Sequence, residues 1–554
     1  MMEKFVKLTC ITLATVIVFA ACAQGGGGGT AGTAGTAGTA GTPGTGAPAA
    51  TNGGGGATEE TGLELITLSI AGSSGTAGMI ETWDIENDTI AAYITDRFNV
   101  VFEPTIIENV DALRLRGIAG DLPDVFNTWF DIRLLNEWID QGIIRAIPDD
   151  IVARYPTINH GMTTDPFTAA SRDLYGAYYF VPQFFGRDLQ SPRANQAGQF
   201  IRVDWLENLG LDMPTNLDEF YHVLYAFTHG DPAGDGSSVI GYTANGLSFF
   251  IQLLPNFNTV STAWLHEGGQ WIPWYMSENI VDAIEWLQRM YRSGVIDPEI
   301  QENNWTQALQ KFSGGMAGVV GRNADTAWVN RVLDIFSEAN PGIDPFDKVA
   351  VIPPMSRDAN SEPKLNMNRT NSGMHFDARV SDAQVDRYMM VHDWMLSDEG
   401  TVLLNLGLEG VHHTVNADGT FSLLNDPATG LPFNIGEMYG GAAIRSNAHW
   451  GFCLELDTAF PHATISDEVR LYSQQLLADR DRHAQPFDLR MVLMTTPAVD
   501  NLVFSSGDEF SALMRSPHDP ATTFEMFIER MVAMGANDAI REANEFAQLH
   551  GITP

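Results

Sequence analysis

The sequence predicts an α/β protein. Three observations support this prediction. Short apolar strands alternate with helical patterns from about residue 63, and the 554-residue chain is long enough for two or three domains. In addition, 44% of the residues are hydrophobic and 10% aromatic, as in globular proteins.

The first strand is predicted in LELITLSIAG (63–72), where apolar residues alternate with others. The next pattern is helical, with apolar residues on one side at Ile85, Tyr93, Ile94 and Phe98. A short strand at 100–102, a helix at 110–118 and a strand at 124–127 follow. Strands and helices that alternate at this spacing predict a parallel sheet, and such sheets bind ligands beyond the carboxyl ends of their strands.

The N-terminus has the pattern of a secretory signal peptide at residues 1–21. Lys4 and Lys7 precede the uncharged run 8–21, which is shorter than the roughly 20 residues that a membrane-spanning helix needs. The boundary FAAC (19–22) resembles a bacterial lipobox, in which the cysteine receives a lipid. We therefore expect lipidation at Cys22 and an extracytoplasmic protein that is anchored to the cell membrane by an N-terminal lipid.

Residues 22–62 are predicted to form a flexible tether that begins at the lipidated cysteine. From residue 23 to 62 there is no aromatic side chain, the triplet TAG occurs four times in 30–41, and the first charge is Glu59. A coil of this length spans roughly 35 Å. It would let a folded body dock near the membrane, although an inert spacer that clears a cell-wall layer has the same composition.

The formal net charge of −38 makes nucleic acid an unfavourable partner, because its phosphates would be repelled. The acidity is typical of a solvated surface on an exported protein. There are three cysteines, of which Cys10 lies in the signal peptide and Cys22 is the lipidation site. Cys453 is then left without an intramolecular partner, so no disulfide is expected.

Seven segments along the body resemble the extracellular solute-binding lipoproteins (family 1) of bacterial ABC importers, in particular the branch with oligosaccharide-binding members. In chain order they are GDLPDVF (120–126), RVDWLENLGLDMPTNLDEF (202–220), AFTHGDPAGDG (226–236), WLQRMYRSGVIDPE (286–299), FSGGMAG (312–318), LSDEG (396–400) and GLEGVHHTV (407–415). The resemblance implies a two-lobed, periplasmic-binding-protein-like fold of type II. A solute, held between lobes that are joined by a hinge, would be delivered to permease subunits.

The resemblance to the maltose-binding architecture also implies lobe boundaries. The N-terminal lobe would comprise 62–183 plus 355–410, and the C-terminal lobe 184–354 plus 411–554. An amphipathic helix at 523–534, with Phe524, Phe527, Ile528 and Met531 on one face, is predicted to pack in the second lobe.

Candidate ligand-binding residues follow strand ends or stand where relatives contact sugars. Aromatic rings stack on sugar C–H faces, while carboxylates, amides and guanidinium groups bind hydroxyls. Within this set Trp328 and Asp131 correspond to positions that maltose-binding relatives use for sugars, and Arg202 could instead pair with Asp204. The set is Trp83, Asn127, Trp129, Asp131, Arg202, Arg322 and Trp328. By contrast, Trp138, Trp286 and Trp394 lie in helical patterns and are assigned to packing.

We expect no cofactor, metal or catalytic site. The loop 231–239 resembles the calcium loops of relatives, but Ala233 and Val239 replace two ligands, and calcium takes six to eight oxygens. Asx turns of Asp231 and Asp235 explain the loop instead. The neighbours His412 and His413 have no further ligands at metal-binding spacing.

Three interpretations remain open from the sequence. The first is a lipid-anchored, monomeric receptor that captures an oligosaccharide for an ABC importer. The second is a receptor of the same fold for a peptide or other solute, or a ligand sensor for a membrane kinase. The third is a surface polysaccharide hydrolase, which the missing catalytic pattern disfavours.

Overall fold

The computed structural model describes residues 62–72, 87–107, 110–129, 132–182, 193–259, 264–367, 372–438 and 465–553. The predicted signal peptide, Cys22, the tether, Trp83, Asp131 and Cys453 lie outside these residues, as does the side chain of Trp129. Within the described ranges, no helix combines the length and the apolar character needed to cross a membrane.

The strands of the described residues are β1 (Ile66–Gly72), β2 (Val100–Ile106), β3 (Val125–Trp129), β4 (Val181–Pro182), β5 (Ala197–Arg202), β6 (Ile240–Thr243), β7 (Trp264–Glu267), β8 (Gln270–Pro273), β9 (Ala317–Asn323), β10 (Val349–Val351), β11 (Leu365–Asn366), β12 (Ser372–Phe376), β13 (His413–Val415), β14 (Phe421–Leu423) and β15 (Ala484–Gln485).

The α-helices of the same residues are α1 (Thr89–Phe98), α2 (Val110–Ala119), α3 (Ile132–Asp140), α4 (Asp149–Val152), α5 (Pro156–Thr164), α6 (Pro166–Tyr175), α7 (Val203–Leu209), α8 (Leu217–His229), α9 (Ser248–Ile251), α10 (Ile280–Arg292), α11 (Trp305–Ser313), α12 (Thr326–Ala339), α13 (Asp382–Met395), α14 (Asp398–Leu406), α15 (Ile435–Met438), α16 (Asp467–Asp481), α17 (Leu489–Leu493), α18 (Pro497–Asn501), α19 (Ser506–Arg515), α20 (Pro520–Ala533) and α21 (Ala536–Leu549).

The first sheet has the order β2-β1-β3-β12-β4. As predicted, β1 pairs in parallel with both β2 and β3. The predicted parallel pairing of the first three strands is confirmed, while β12 is antiparallel to β3 and to β4. The chain forms the second sheet before it returns to the first sheet as β12, which runs in the opposite direction to β3. The alternation of residues within one strand does not show that a later strand joins the same sheet.

The second sheet has the order β10-β5-β9-β6. Strand β9 pairs in parallel with β6 and antiparallel with β5. The sequence of β9 makes close packing possible, because a Cβ at Gly318 would lie 2.2 Å from the Phe227 ring on α8. A side chain there would push α8 off the sheet, which explains a glycine in the motif FSGGMAG.

Each sheet is covered on both faces by an apolar core. In β1, Leu68 and Ile70 face one core while Ala71 faces another, as the two-residue period of a strand requires. In the second sheet, the neighbours Phe200 and Ile201 of β5 likewise pack in two different cores, one on each face. This arrangement of helices on both sides of a sheet is the predicted α/β architecture.

Three short segments connect the two sheets and run side by side. Residues 193–196 precede β5, residues 365–367 contain β11, and residues 483–485 contain β15. Ala194 forms a bridge with Met367, and β11 pairs in parallel with β15. We call these three stretches the connecting segments.

The lobe boundaries proposed above stay a prediction, and the packing adds two facts about them. Phe433 and Ile435, which follow the predicted boundary at residue 411, pack in a core of the first sheet. Leu489 and Leu493 of α17 pack against the other face of that sheet. Segments of the C-terminal region therefore contribute to the first sheet as well as to the second.

Several predicted elements are confirmed. Helix α1 begins after Asp88, whose Oδ1 accepts hydrogen bonds from the N–H groups of Ile90 and Ala91 at 2.8 Å, and ends at Asn99 in the left-handed region. Helix α20 buries Phe524, Phe527 and Met531 of its predicted apolar face in the second core. All three tryptophans assigned to packing, Trp138, Trp286 and Trp394, are buried.

Candidate functional site

Four strands end and one strand begins at one edge of the first sheet. Strands β1 to β4 end there, with Gly72 of β1 opposite Ile106 of β2, and β12 begins there, with Gly373 opposite Pro182. Asn127, a predicted ligand residue, is half-buried in β3 near this edge, opposite Met374. This is the edge at which parallel strands present ligand-binding loops.

The corresponding edge of the second sheet is formed by the start of β5 and the end of β9. Ala197 lies opposite Asn323, and Gly198 lies opposite Arg322. The backbone N–H of Ala324 donates to the carbonyl oxygen of Gln196 at 2.7 Å, so the end of β9 is bonded to a connecting segment. The second edge therefore lies beside the link to the first sheet.

Arg322 and Trp328, both predicted ligand residues, are in direct contact. The guanidinium carbon of Arg322 lies 3.4 Å from the centroid of the Trp328 ring and 5.5 Å from that of Phe249. Trp305 meets Trp328 edge-on, with the ring centroids 5.5 Å apart and the planes at 77°. We call these four side chains the Arg322 cluster.

Local sequence explains how the cluster is built. Asp325 caps α12 by accepting a hydrogen bond from the N–H of Trp328 at 3.1 Å, which fixes the first turn and the tryptophan on it. Gly321 allows α9 to approach β9, because a Cβ there would lie 2.7 Å from Cβ of Phe249. A strand end, a helix start and a short helix thus converge on Arg322.

The electrostatics of the cluster are those of a partly buried cation. Burial lowers the pKa of Arg322, while the nearby Asp325 opposes this change. Burial also raises the pKa of Asp325, whose carboxylate is committed to backbone N–H groups of α12. The arrangement presents a guanidinium plane and an indole ring together, which suits a ligand with a flat apolar face and hydrogen-bonding groups around it.

The connecting segments carry a polar network next to the cluster. Oε1 of Gln252, one residue after α9, accepts hydrogen bonds from Nδ2 of Asn195 at 2.6 Å and from Nδ2 of Asn366 at 2.7 Å. The buried guanidinium of Arg480 donates to the carbonyl oxygens of Asn195 and Ala197, and burial lowers its pKa to about 10. Short α9 therefore contacts Arg322 through Phe249 and leads directly into Gln252.

Arg202 lies away from the cluster. Its guanidinium forms a bidentate ion pair with Asp204, with nitrogen–oxygen distances of 2.7 and 2.8 Å. It stands four residues along β5 from Gly198, about 13 Å at the rise of a strand. Of the two roles considered for Arg202, the ion pair is the one present in the structure.

Sequence reasoning missed Phe249 and Trp305. Trp305 follows Asn304, which forms a capping box with Gln307, so its place at a helix start was readable from the sequence. Nothing in the sequence links that helix start to Trp328, however. Phe249 lies in the apolar run LSFFI, and no periodicity distinguishes its contact with Arg322 from ordinary packing.

The loop at 231–236 has the turn chemistry that the sequence predicts. Oδ1 of Asp231 accepts from the N–H of Gly236 at 3.0 Å, and Oδ1 of Asp235 accepts from the N–H of Ser237 at 2.8 Å. His412 and His413 bond to the backbone of residues 406–408. In the described ranges, no three His, Cys, Asp or Glu side chains come together as a metal site would require.

Comparison with known proteins agrees with this architecture. Residues 98–348 match the family model of the bacterial extracellular solute-binding proteins. The match covers a little less than half of the chain, so the chain is similar to this family over these residues. The family model, YtcQ and FusA are described as binding proteins, in agreement with the expectation that the protein is not an enzyme.

Two curated relatives come from Bacillus subtilis (strain 168). The polygalacturonan/rhamnogalacturonan-binding protein YtcQ is 24% identical over 322 residues, which is 56% of this chain and 60% of the relative. The lipoprotein LipO is 25% identical over 241 residues, 41% of this chain and 46% of the relative. The matches thus span about half of the length of these relatives.

A solved structure shows the same fold over nearly the whole chain. The ABC-transporter substrate-binding protein FusA of Streptococcus pneumoniae, in complex with kestose, is 17% identical and superposes with a TM-score of 0.61. The superposition covers 89% of this chain and all of the other. It confirms the predicted two-lobed α/β fold.

Proposed function

We propose that the protein is a lipid-anchored extracellular receptor that binds an oligosaccharide in a cleft between its lobes and delivers it to the permease of an ABC importer. The observation that carries this proposal is the stacked pair of Arg322 and Trp328 at the end of β9, beside the connecting segments. An indole ring with a guanidinium group at its face offers both stacking and hydrogen bonding to a sugar.

The names of relatives support a carbohydrate as the solute. YtcQ is described as binding polygalacturonan and rhamnogalacturonan, and FusA was solved with kestose. The lipoprotein LipO supports the proposed anchor at Cys22. The likeness to LipO and YtcQ covers only part of each chain, so the substrate and the importer stay part of the proposal.

In the proposed mechanism, the connecting segments act as the hinge. A solute that touches both lobes favours the closed state by its additional affinity for that state, and by no more than that. Arg322 and Trp328 would contact it from the second lobe, and Asn127, Trp129 and Asp131 from the first. The closed surface would then be the form that a permease recognises.

The test is a ligand screen by thermal shift, followed by calorimetry. Kestose, trigalacturonate and maltotriose are compared with an oligopeptide of similar length. We expect a carbohydrate to raise the melting temperature, because a ligand at 100 times its Kd adds about 2.7 kcal/mol of stability. Stabilisation by the peptide alone would support the second interpretation. Chromatography showing that the sugar is cleaved would support the hydrolase.

A further inference from the structure

Arg322 is a partly buried cation that forms no ion pair with a carboxylate of the described residues. Its Nε is enclosed by protein and donates no hydrogen bond. Among the described residues, no carboxylate forms an ion pair with it, and its contacts are the faces of Trp328 and Phe249. The Nε group therefore lacks the hydrogen bond that it had in water, which destabilises the free protein.

Several other arginines that are buried or partly buried in the described ranges have hydrogen-bonded partners, and Arg387 and Arg480 donate to backbone carbonyl oxygens. Arg193 bonds to Asp481 at 2.8 Å and Arg490 to Asp488 at 2.6 Å. The chain has 69 acidic residues against 31 basic ones, so a carboxylate opposite an arginine is easily supplied. Arg322 differs from these arginines because it has no hydrogen-bonded partner among the described residues, and this difference requires a specific reason.

Asp325 does not supply the missing anion. Asp325 lies three residues from Arg322 and stabilises the charged form of that arginine. However, Oδ1 of Asp325 accepts a hydrogen bond from the N–H of Trp328 as the cap of α12. The terminal nitrogens Nη1 and Nη2 of Arg322 are not enclosed as Nε is. Nη1 and Nη2, which lie in the plane of the guanidinium group, therefore remain available to donate hydrogen bonds to a bound ligand.

We propose that Arg322 binds a carboxylate of the solute, and that the solute is an acidic oligosaccharide containing uronic acid units. This inference rests on the proposed function and names its substrate class. Two parallel N–H groups match the two oxygens of a carboxylate, and such charge-assisted bonds are stronger than bonds to neutral hydroxyls. Trp328 beside the guanidinium provides the apolar surface that a sugar ring requires.

The overall charge of the protein does not oppose this assignment at close range. Its net charge of −38 repels an anion at a distance, but salt screens charges over about 8 Å at physiological ionic strength. The guanidinium is the only charged group among the four side chains of the Arg322 cluster, and the nearby Asp325 carboxylate accepts a hydrogen bond from the backbone of α12. A neutral sugar would leave that guanidinium unpaired in the complex.

The experiment compares trigalacturonate with its fully methyl-esterified form, which has the same sugar framework without charge. Calorimetry on the full chain gives the Kd of each, and kestose is included as an unrelated neutral sugar. We expect the wild type to prefer the acid by about tenfold or more, as charge-assisted bonds predict. Arg322→Gln should abolish this preference, and Arg322→Lys should restore it in part because a lysine keeps the charge without the planar fork.

The matched control is Arg357→Gln. Arg357 is also partly buried and lies over an aromatic ring, 5.3 Å from the centroid of Phe257, but it is paired with Asp282. This variant should keep the preference for the acid. The melting temperature of each variant is measured to check that it folds. If Arg322→Gln still binds the methyl ester, its binding site is also folded.

Each outcome bears on the proposal. Equal affinity of the wild type for acid and ester, or a preference that survives in Arg322→Gln, overturns the role of Arg322. Binding of kestose without binding of trigalacturonate overturns the acidic substrate class and leaves the proposed function standing. Failure of every sugar to bind overturns both.

Discussion

The backbone N–H of Asn195 donates to the carbonyl oxygen of Asn366 at 2.8 Å, and this bond joins two of the segments that connect the sheets. The side chains of the same two residues both donate to Oε1 of Gln252. The side chain of Gln252 therefore bonds two of the connecting segments to the end of α9.

Replacing Gln252 by alanine should lower the free energy of unfolding by about 1–3 kcal/mol. The side-chain amides of Asn195 and of the buried Asn366 would both lose their acceptor. The free energy of unfolding in urea measures this change. Gln548→Ala, at an exposed position of α21, is the control and should stay within about 0.5 kcal/mol of the wild type. An equal effect of both variants would mean that the network contributes nothing specific.

Trp328→Ala and Trp129→Ala should each raise the Kd for the cognate sugar about tenfold or more, because a lost stacking ring costs about 2 kcal/mol or more. Far-ultraviolet circular dichroism should stay unchanged. Trp286→Ala is the contrast, since this buried ring packs on Phe250 with centroids 4.8 Å apart, and its loss should cost about 3–5 kcal/mol of stability. Unchanged affinity in both of the first two variants would reject the site.

Cys22→Ser should release the protein from membranes without unfolding it. The serine variant cannot form the lipid thioether, and the predicted tether separates the anchor from the folded body. Fractionation of cells with and without detergent measures the release. Cys453→Ser, the matched control, should stay in the membrane fraction. Retention of Cys22→Ser there would show that another segment is the anchor.

Removal of calcium should leave the melting temperature and the sugar affinity unchanged. The carboxylates of Asp231 and Asp235 are already engaged as acceptors for backbone N–H groups of their own loop. Dialysis against a chelator, followed by calorimetry with and without added calcium, measures this. A drop that added calcium reverses would reveal a site built from other residues.

The stability of the protein should fall with pH below about 6.5. Burial lowers the pKa of His375 to about 4, so between these values the unfolded chain binds a proton that the folded protein does not. Stability therefore rises with pH in this window, by about 1.4 kcal/mol per pH unit for one histidine. His392, whose pKa burial lowers to about 3, adds to the slope.

His375→Phe should flatten this slope by about 1.4 kcal/mol per pH unit. The Phe126 and Phe180 rings, with centroids 5.7 and 5.8 Å from that of His375, can accept another aromatic side chain. Urea unfolding at pH 6, 5 and 4.5 measures the slope, with the exposed His518→Phe as the control for the substitution itself. An unaltered slope in His375→Phe would assign the pH dependence to other groups.

The first strands and helices were predictable because their signals are local. Alternation in β1 and the apolar face of α20 each lie within a dozen residues, and both are confirmed. The connecting segments gave no such signal, since β11 and β15 have two residues each and pair across more than a hundred positions. The choice between cleft and ion pair at Arg202 likewise depended on where Asp204 points.

The site was predictable only in part for the same reason. Trp328 and Arg322 were found from a strand end followed by a helix start, but Phe249 and Trp305 approach them from other segments. Asn127 is near the expected edge of the first sheet, and its role in binding stays a proposal.

Helix α9 spans only Ser248–Ile251, yet Phe249 touches Arg322 and Gln252 follows directly with bonds to two of the connecting segments. A movement of Arg322 on solute binding would therefore be separated from the connecting segments only by this short helix. Evolution of a new sugar preference at this position would then alter the speed of opening and release as well. Under the proposed function, solute selectivity and the rate of release would change together, and variants selected for tighter binding should include some that release the solute slowly.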